Sequence, residues 1–147
     1  MVSEPRNDVH VLLVEDNPGD IDLVKDALAR FSSRPTLEVA TDGSRALALL
    51  LSGERKRLPD LILLDLNVPK TDGREVLAAI RADERTTHIP VIVLSSSNAE
   101  RDLMQAYRLH ANCFITKPAD IDAFFRMFEL IEQFWLKLVK LPAPVTT

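Results

Sequence analysis

The chain has 147 residues, a net charge of −4 and 46% hydrophobic residues, which indicates one globular domain with a core of its own. The acidic balance argues against a general nucleic-acid binder. A single cysteine, Cys113, excludes an internal disulfide and fits a reducing compartment. Residues 1–8 hold no hydrophobic signal region, and no apolar run reaches the roughly 18 residues that span a bilayer. We therefore expect a soluble, cytoplasmic protein that binds neither nucleic acid nor membrane.

Five segments with the composition of β-strands alternate with five helical segments. The strands are predicted at residues 9–14, 37–40, 61–64, 91–94 and 113–116. Asn17 and Pro18 are typical of a helix start, as cap and first-turn residue. Ser97 and Glu100 have the spacing of a capping box, which predicts that the fourth helix begins there. The last helix is predicted from about residue 120 to residue 141.

Strict alternation of strands and helices with short links is typical of an α/β fold with a doubly wound parallel sheet. Right-handed crossovers place helices on both faces of such a sheet. Five strands fit the flavodoxin-like order 2-1-3-4-5. We expect one domain over residues 8–141 that includes an extended C-terminal helix, flexible ends at residues 1–7 and 142–147, and no further domain with an output function.

The chain is organised around the third strand, where residues 61–64 are four consecutive aliphatic residues. Such a run predicts a strand buried on both faces, and Asp65 follows it directly. The predicted strand order brings Asp65 beside Glu15 and Asp16, which follow the first strand. The ends of the fourth and fifth strands add Ser95 and Lys117 at the same edge, where open α/β sheets bind ligands.

Three neighbouring carboxylates repel one another, and a hard divalent cation relieves that repulsion. Mg²⁺ prefers oxygen ligands and keeps several waters, so Asp16, Asp65 and the backbone carbonyl of Asn67 are candidate ligands, and Glu15 completes the metal site by holding a metal-bound water. Asp65 then has an oxygen free to attack phosphorus and form an aspartyl phosphate. The Lys117 ammonium and the Ser95 hydroxyl are suited to stabilise the phosphoryl oxygens.

These residues and their spacing resemble the receiver domain of two-component response regulators over nearly the whole chain. The resemblance identifies Glu15 and Asp16 as the acidic pair, Asp65 as the phosphoacceptor, and Ser95 and Lys117 as the hydroxyl and lysine of the site. It also implies Mg²⁺ as the cofactor, a histidine kinase as the phosphoryl donor and a signalling rather than an enzymatic role. The family's switch aromatic corresponds to Phe114.

Two smaller features add to this resemblance. The bond between Lys117 and Pro118 is usually cis in the family. The segments 17–20, 109–118 and 134–136 resemble the single-domain regulators that serve phytochrome histidine kinases. The resemblance therefore implies a phytochrome-type kinase as the partner.

Three alternative functions are open to such a fold. A phosphatase of the haloacid dehalogenase type also uses an aspartate nucleophile, but its general-acid aspartate is replaced here by Asn67. An interaction scaffold that is never phosphorylated does not need an intact acidic pocket. A nucleotide-binding module needs a glycine-rich phosphate loop, and the chain contains only four glycines.

The last helix carries more apolar residues than one core can cover. Ile121, Phe124, Phe125, Phe128, Ile131, Trp135 and Leu138 are predicted to form the face that packs on the sheet. Met127, Leu130, Phe134 and Leu141 form a flanking face, and an exposed apolar face is typical of a partner site. We therefore predict a symmetric homodimer through this helix and the adjoining surface of the fourth helix and fifth strand, with Met127, Leu130, Phe134 and Trp135 in the interface.

Overall fold

The computed structural model describes residues 8–53 and 57–144. The predicted flexible ends at residues 1–7 and 145–147 lie outside the described residues. Residues 142–144 are described and belong to neither a helix nor a strand. Among the helices of the described segments, none has the length and apolar character that a membrane crossing requires.

The sheet has five parallel strands in the order β2-β1-β3-β4-β5, so the predicted doubly wound fold is confirmed. The strands are β1 (His10–Val14), β2 (Thr36–Ala40), β3 (Leu61–Leu64), β4 (Val91–Ser95) and β5 (Cys113–Thr116). The helices are α1 (Pro18–Ala29), α2 (Gly43–Leu51), α3 (Gly73–Ala82), α4 (Glu100–Arg108) and α5 (Ile121–Ile131), followed by a π-helical segment (Glu132–Leu138). Because β1 lies between β2 and β3, the chain reverses direction across the sheet at β1, and a crevice opens between the ends of β1 and β3.

Side chains alternate between the two faces of the central strands and form two separate apolar layers. Ile62 and Leu64 of β3 point into the layer that contains α2 and α3. Leu61 and Leu63 point into the layer that contains α1 and α5. Because β3 is buried on both faces, its four aliphatic residues fix its position, and the residue that follows it is held firmly at the sheet edge.

The helix starts agree with the sequence for α1 and differ for α4. The Asn17 side chain caps α1 and accepts a hydrogen bond from the Asp20 N–H at 3.0 Å. The predicted capping box at Ser97 is wrong, because Ala99 precedes the first turn of α4 and makes no side-chain cap. The Ser97 hydroxyl donates to the Asp102 carboxylate at 2.7 Å, and its oxygen accepts from the Ala99 N–H at 3.2 Å, so Ser97 stabilises the turn before α4 rather than the first turn of the helix.

Arg81, in the last turn of α3, connects the loop before β4 to the loop before β5. Its guanidinium donates four hydrogen bonds, to the carbonyls of Thr87, Ile89 and His110 and to the side chain of Asn112. The distances lie between 2.7 and 2.9 Å. A planar guanidinium with several N–H groups can serve these acceptors together, whereas an ammonium cannot match the same arrangement.

The last helix does not run to residue 141 as predicted. It changes from α to π geometry after Ile131 and ends at Leu138, and Val139 is extended. A π-helix has wider turns, so the 100° spacing used to assign the helix faces fails beyond residue 131. Glu132 and Leu136 are buried there, whereas Leu138 is 74% exposed.

The predicted faces of this helix need correction at several positions. The sequence predicts Met127 on the exposed flanking face, but it is buried in the layer that contains α1, because it lies one turn from Phe124 and Ile131 on the core side. Leu130 and Phe134 are exposed, as a partner surface requires. Trp135 is half-buried and meets the Phe134 ring edge to face at 5.2 Å. Ile121 and Leu138, which the sequence predicts on the packed face, are 56% and 74% exposed.

Glu132 connects the π-helical segment to the loop that follows α1. Its side chain accepts hydrogen bonds from the N–H and the hydroxyl of Ser33, at 3.2 and 2.9 Å. The Lys137 ammonium lies 3.7 Å from its other oxygen. A buried carboxylate is stable only where such partners replace water, so this position depends on a contact 99 residues away in the chain.

Candidate functional site

Three carboxylates meet at the carboxyl ends of two neighbouring strands. Glu15 and Asp16 follow β1, and Asp65 follows β3, which pairs with β1 in parallel. One oxygen from each of the three side chains lies within 4.8 Å of the other two. Glu15 and Asp65 are buried, whereas Asp16 is exposed. The three acids, named here the acid trio, are therefore brought together as the sequence predicts.

The loop after Asp65 is held in place by two glycines at helix starts. A Cβ at Gly73 would lie 2.5 Å from the Asp65 carbonyl oxygen, and the Gly73 N–H donates to the Leu66 carbonyl at 2.9 Å. A Cβ at Gly43 would overlap the Thr71 carbonyl oxygen. Because only glycine permits these close approaches, the start of α3 packs directly against the backbone of the acid trio.

Lys117 lies at the end of β5 and points into the acid trio. Its ammonium nitrogen lies 2.7 Å from Glu15 Oε2, 2.9 Å from Asp20 Oδ2 and 3.0 Å from Asp65 Oδ2. Its backbone N–H donates to the Ser95 carbonyl at 2.7 Å, which continues the pairing of β5 with β4. The side chain has only 11% exposure, so water screens these ion pairs poorly.

The site perturbs the protonation of two of its groups. Burial and, to a smaller extent, the neighbouring Asp65 charge raise the pKa of Glu15 from 4.5 to about 7, although the Lys117 hydrogen bond lowers it. Burial alone would lower the pKa of the Lys117 ammonium, but its hydrogen bonds to Glu15 and Asp20 raise it above the usual lysine range. Lys117 is therefore a permanent cation, and Glu15 titrates near neutral pH.

The donor set of the acid trio fits a hard divalent cation. Carboxylate oxygens are the ligands that Mg²⁺ and Mn²⁺ take in proteins, and the exposed Asp16 leaves one side open to water. Asn67 follows Asp65 in the loop before α3 and donates its N–H to Asp65 Oδ1 at 2.9 Å. The structure thus places Asn67 beside the trio, and the use of its carbonyl as a ligand stays a prediction.

Ser95 and Phe114 lie on either side of the interface between β4 and β5. Ser95 is fully buried, and its hydroxyl oxygen accepts a hydrogen bond from the Ser97 N–H at 3.1 Å. Phe114 is half-buried against the layer that contains α2 and α3, and its N–H donates to the Tyr107 hydroxyl at 3.3 Å. The Lys117–Pro118 bond is trans, which differs from the expectation of a cis bond.

Asp20 is a residue of the site that the sequence reasoning missed. It lies in the first turn of α1, and its carboxylate contacts Lys117 as closely as Asp65 does. The cap at Asn17 fixes where α1 begins and therefore which side chain of its first turn faces the lysine. The presence of an acid just after a capped helix start at this sheet edge is the sequence signal that could have identified it.

The fold and the site together define a phosphoryl-accepting signalling module. The chain belongs to the response regulator receiver domain family, whose model matches residues 11–129. This places the protein among signalling proteins and gives no support to the phosphatase or nucleotide-binding alternatives.

Several relatives resemble nearly the whole chain. The response regulator Rcp1 of Synechocystis is 44% identical over 136 residues, which cover 90% of this chain and 92% of that protein. The Mn²⁺-bound crystal structure of Rcp1 has a TM-score of 0.87 at 42% identity and covers 92% of this chain and 99% of that one. The phosphorylated cyanobacterial phytochrome response regulator RcpA has a TM-score of 0.85 at 45% identity, with the same coverage.

Proposed function

We propose that Asp65 accepts a phosphoryl group from a histidine kinase in a Mg²⁺-dependent reaction. The observation that carries this proposal is the position of the Asp65 carboxylate, within the acid trio and 3.0 Å from the Lys117 ammonium. An Asp65 oxygen forms a bond to phosphorus while the bond between phosphorus and the donor's leaving group breaks. The phosphorylated, phytochrome-linked relative RcpA supports the same reaction class.

Each residue of the site has a separate role in this reaction. Asp16, Asp65 and the Asn67 carbonyl would hold Mg²⁺, with Glu15 beside them, and a bound cation neutralises charge on the phosphoryl oxygens. The Mn²⁺ in the Rcp1 structure supports a divalent cation here. Lys117 contributes a fixed positive charge, and the buried Ser95 hydroxyl is a hydrogen-bond donor for a phosphoryl oxygen.

The phosphoacceptor role is tested by intact-mass measurement after incubation with acetyl phosphate. The wild type should gain one phosphoryl group, and neither Asp65→Asn nor the wild type with chelator should gain any. Asp26→Asn, a change at an exposed acid of α1, is the matched control and should be labelled like the wild type. Labelling that survives in Asp65→Asn would contradict the assignment.

We propose further that the donor is a phytochrome-type histidine kinase. The support is the likeness to Rcp1 and to RcpA, of which the second is described as a cyanobacterial phytochrome response regulator. Phosphotransfer from purified histidine kinases of the same source tests this proposal. The preferred kinase should transfer at a rate that depends on light, and a preferred kinase without light dependence would contradict it.

We infer that phosphorylation is communicated through Ser95 and Phe114. A phosphoryl group beside β4 would draw the Ser95 hydroxyl away from the Ser97 N–H, and Phe114 could then move further into the adjoining apolar layer. This is a population shift that depends on the difference in contacts between two states. Structures with and without beryllofluoride, a phosphoryl mimic, should differ in both side chains, and identical rotamers would count against it.

We also propose a symmetric homodimer through α5 and the π-helical segment. Leu130 and Phe134 are exposed on this side, and Leu138 adds further apolar surface. Sedimentation should show a wild-type dimer that becomes a monomer in Phe134→Glu. Ile121→Glu changes an exposed apolar residue at the other end of α5 and should remain dimeric. A wild type that stays monomeric at high concentration, with and without beryllofluoride, would refute the dimer.

A further inference from the structure

The Lys117 ammonium uses all of its hydrogen-bonding capacity in this structure. A lysine ammonium has three N–H donors, and three carboxylates accept them: Glu15, Asp20 and Asp65, at 2.7, 2.9 and 3.0 Å. A phosphoryl oxygen can therefore contact Lys117 only if one of these acceptors withdraws. Which acceptor withdraws, and which one stays, determines where the ammonium lies during phosphoryl transfer.

Asp20 differs from the other two acceptors in its surroundings. Glu15 and Asp65 belong to the acid trio, whereas Asp20 does not. A cation bound by the trio would compete with Lys117 for the oxygens of Glu15 and Asp65, and it would leave the Asp20 contact unchanged. Asp20 is also the most exposed acceptor, at 30% of its side chain, and it extends from α1 rather than from a strand end.

We propose that Asp20 is a positioning residue, which holds the Lys117 ammonium in place while a phosphoryl group reaches Asp65. This inference rests on the proposed phosphoacceptor function. Asp20 anchors one N–H, and a second N–H released by the acid trio becomes available to a phosphoryl oxygen. Without Asp20, the long Lys117 side chain would lose conformational entropy each time it moved into position, and this cost would slow phosphoryl transfer.

The position of Asp20 is fixed by the start of α1. The Asp20 N–H is bonded to the Asn17 side chain at 3.0 Å, so its backbone is fixed at the helix start. Asp20 and Lys117 line one side of a cavity of about 390 Å³, and Ile121 and Phe124 of α5 line another. The cavity gives small molecules a route to the lysine, and it places a negative charge where an anionic phosphoryl donor would approach.

The two effects of Asp20 act in opposite directions on the kinetics. Loss of its charge should slow the transfer step, because Lys117 is no longer anchored. The same loss should not weaken the binding of an anionic donor, because a repelling charge has been removed. The maximal rate constant should therefore fall while the half-saturating donor concentration stays constant or decreases. A change that only disturbed the fold would not produce this combination.

The test measures phosphorylation by acetyl phosphate in excess Mg²⁺, followed by intact mass over time. Asp20→Asn should lower the maximal rate constant roughly 10-fold, which corresponds to about 1.4 kcal/mol in the barrier. Asp20→Glu, which keeps the charge, should recover most of that loss. Asp22→Asn, at an exposed acid two residues further along α1, is the matched control and should behave like the wild type.

Several outcomes would overturn the inference. If Asp20→Asn reaches the wild-type rate constant to within about 2-fold while Asp65→Asn is unlabelled, Asp20 does not position Lys117, and the phosphoacceptor function stands. If Asp65→Asn is labelled as well, both proposals fail. If Asp20→Asn and Asp20→Glu are equally slow and both unfold at lower temperature than Asp22→Asn, the role of Asp20 is structural only.

Discussion

Replacing Lys117 by methionine should destabilise the cation-free protein strongly. Methionine keeps a long, unbranched apolar side chain and removes the charge, so the packing of the buried stem changes little. The substitution leaves Glu15 and Asp65, both buried, without their shared cation. Unpaired carboxylates that are shielded from water are costly, because no solvent replaces the lost partner.

The size of this effect follows from the distances in the site. An ion pair at about 2.8 Å has a gross Coulomb energy of about 6 kcal/mol at an effective dielectric constant near 20, and desolvation of the ammonium offsets much of the sum. Removing one partner of a buried ion pair costs about 3–5 kcal/mol. Asp20 is partly exposed, and Glu15 can take up a proton. We therefore expect a loss of about 3 kcal/mol in the free energy of unfolding at about pH 8, and less at about pH 6.

Urea unfolding followed by circular dichroism, with chelator and then with excess Mg²⁺, measures this loss. A cation in the acid trio substitutes for the missing ammonium, so Mg²⁺ should stabilise Lys117→Met more than it stabilises the wild type. Lys70→Met is the matched control. Lys70 is 70% exposed and lies 3.7 Å from Asp42, a pair that should contribute less than about 1 kcal/mol.

Two results would refute this reasoning about Lys117. One is a loss below about 0.5 kcal/mol in chelator, the size expected for a surface pair. The other is an equal loss with and without Mg²⁺, which would mean that the cation and the ammonium do not share the same carboxylates. Either result would mean that the ion pairs of Lys117 with Glu15 and Asp65 contribute little to the stability of the folded protein.

Three further changes test other parts of the structure. Gly73→Ala should lower the free energy of unfolding by about 2–3 kcal/mol, because its Cβ would lie 2.5 Å from the backbone of Asp65 and Leu66, whereas Gly19→Ala should cost less, because its Cβ would meet only a side-chain atom, Asn17 Oδ1, at 3.2 Å. The pKa of Glu15 is higher in the folded protein than in the unfolded chain, so the free energy of unfolding in chelator should fall by about 1–3 kcal/mol as the pH rises from about 5 to about 8. If the free energy of unfolding of Glu15→Gln depends on pH as strongly as that of the wild type, this prediction is contradicted. Arg81→Lys should lower the free energy of unfolding by about 2 kcal/mol, as measured by thermal or urea unfolding. A loss no greater than that of an Arg→Lys change at an exposed position would show that the four hydrogen bonds of Arg81 are not needed for stability.

Most of the fold could be predicted, because the spacing of hydrophobic residues and the polar residues that follow the strands can be read locally from the sequence. The aliphatic run of residues 61–64 requires burial on both faces, and only a central parallel strand supplies it. That position fixes Asp65 at the sheet edge beside β1, and strand alternation brings Lys117 there as well. The acid trio and the lysine therefore followed from element order alone.

The parts that could not be predicted depend on contacts between elements. Asp20 contacts Lys117 because of the angle at which α1 leaves the sheet, and the sequence does not encode that angle locally. Glu132 is buried because the last helix changes to π geometry, which a fixed 100° spacing cannot represent. Ser97 does not cap α4, because its hydroxyl oxygen accepts from the Ala99 N–H in the preceding turn and the helix begins only at Glu100. In each case a long-range or competing hydrogen bond outweighs the local pattern.

The contact between Glu132 and Ser33 has a kinetic consequence. It closes a loop of 99 residues, and closing so long a segment costs chain entropy that must be met before the contact can form. Such a contact is expected to form after the folding transition state, when most of the sheet is already assembled. Its loss would then shorten the lifetime of the native state and leave the speed of folding nearly unchanged. Glu132 would thus mainly slow unfolding of the protein rather than speed its folding.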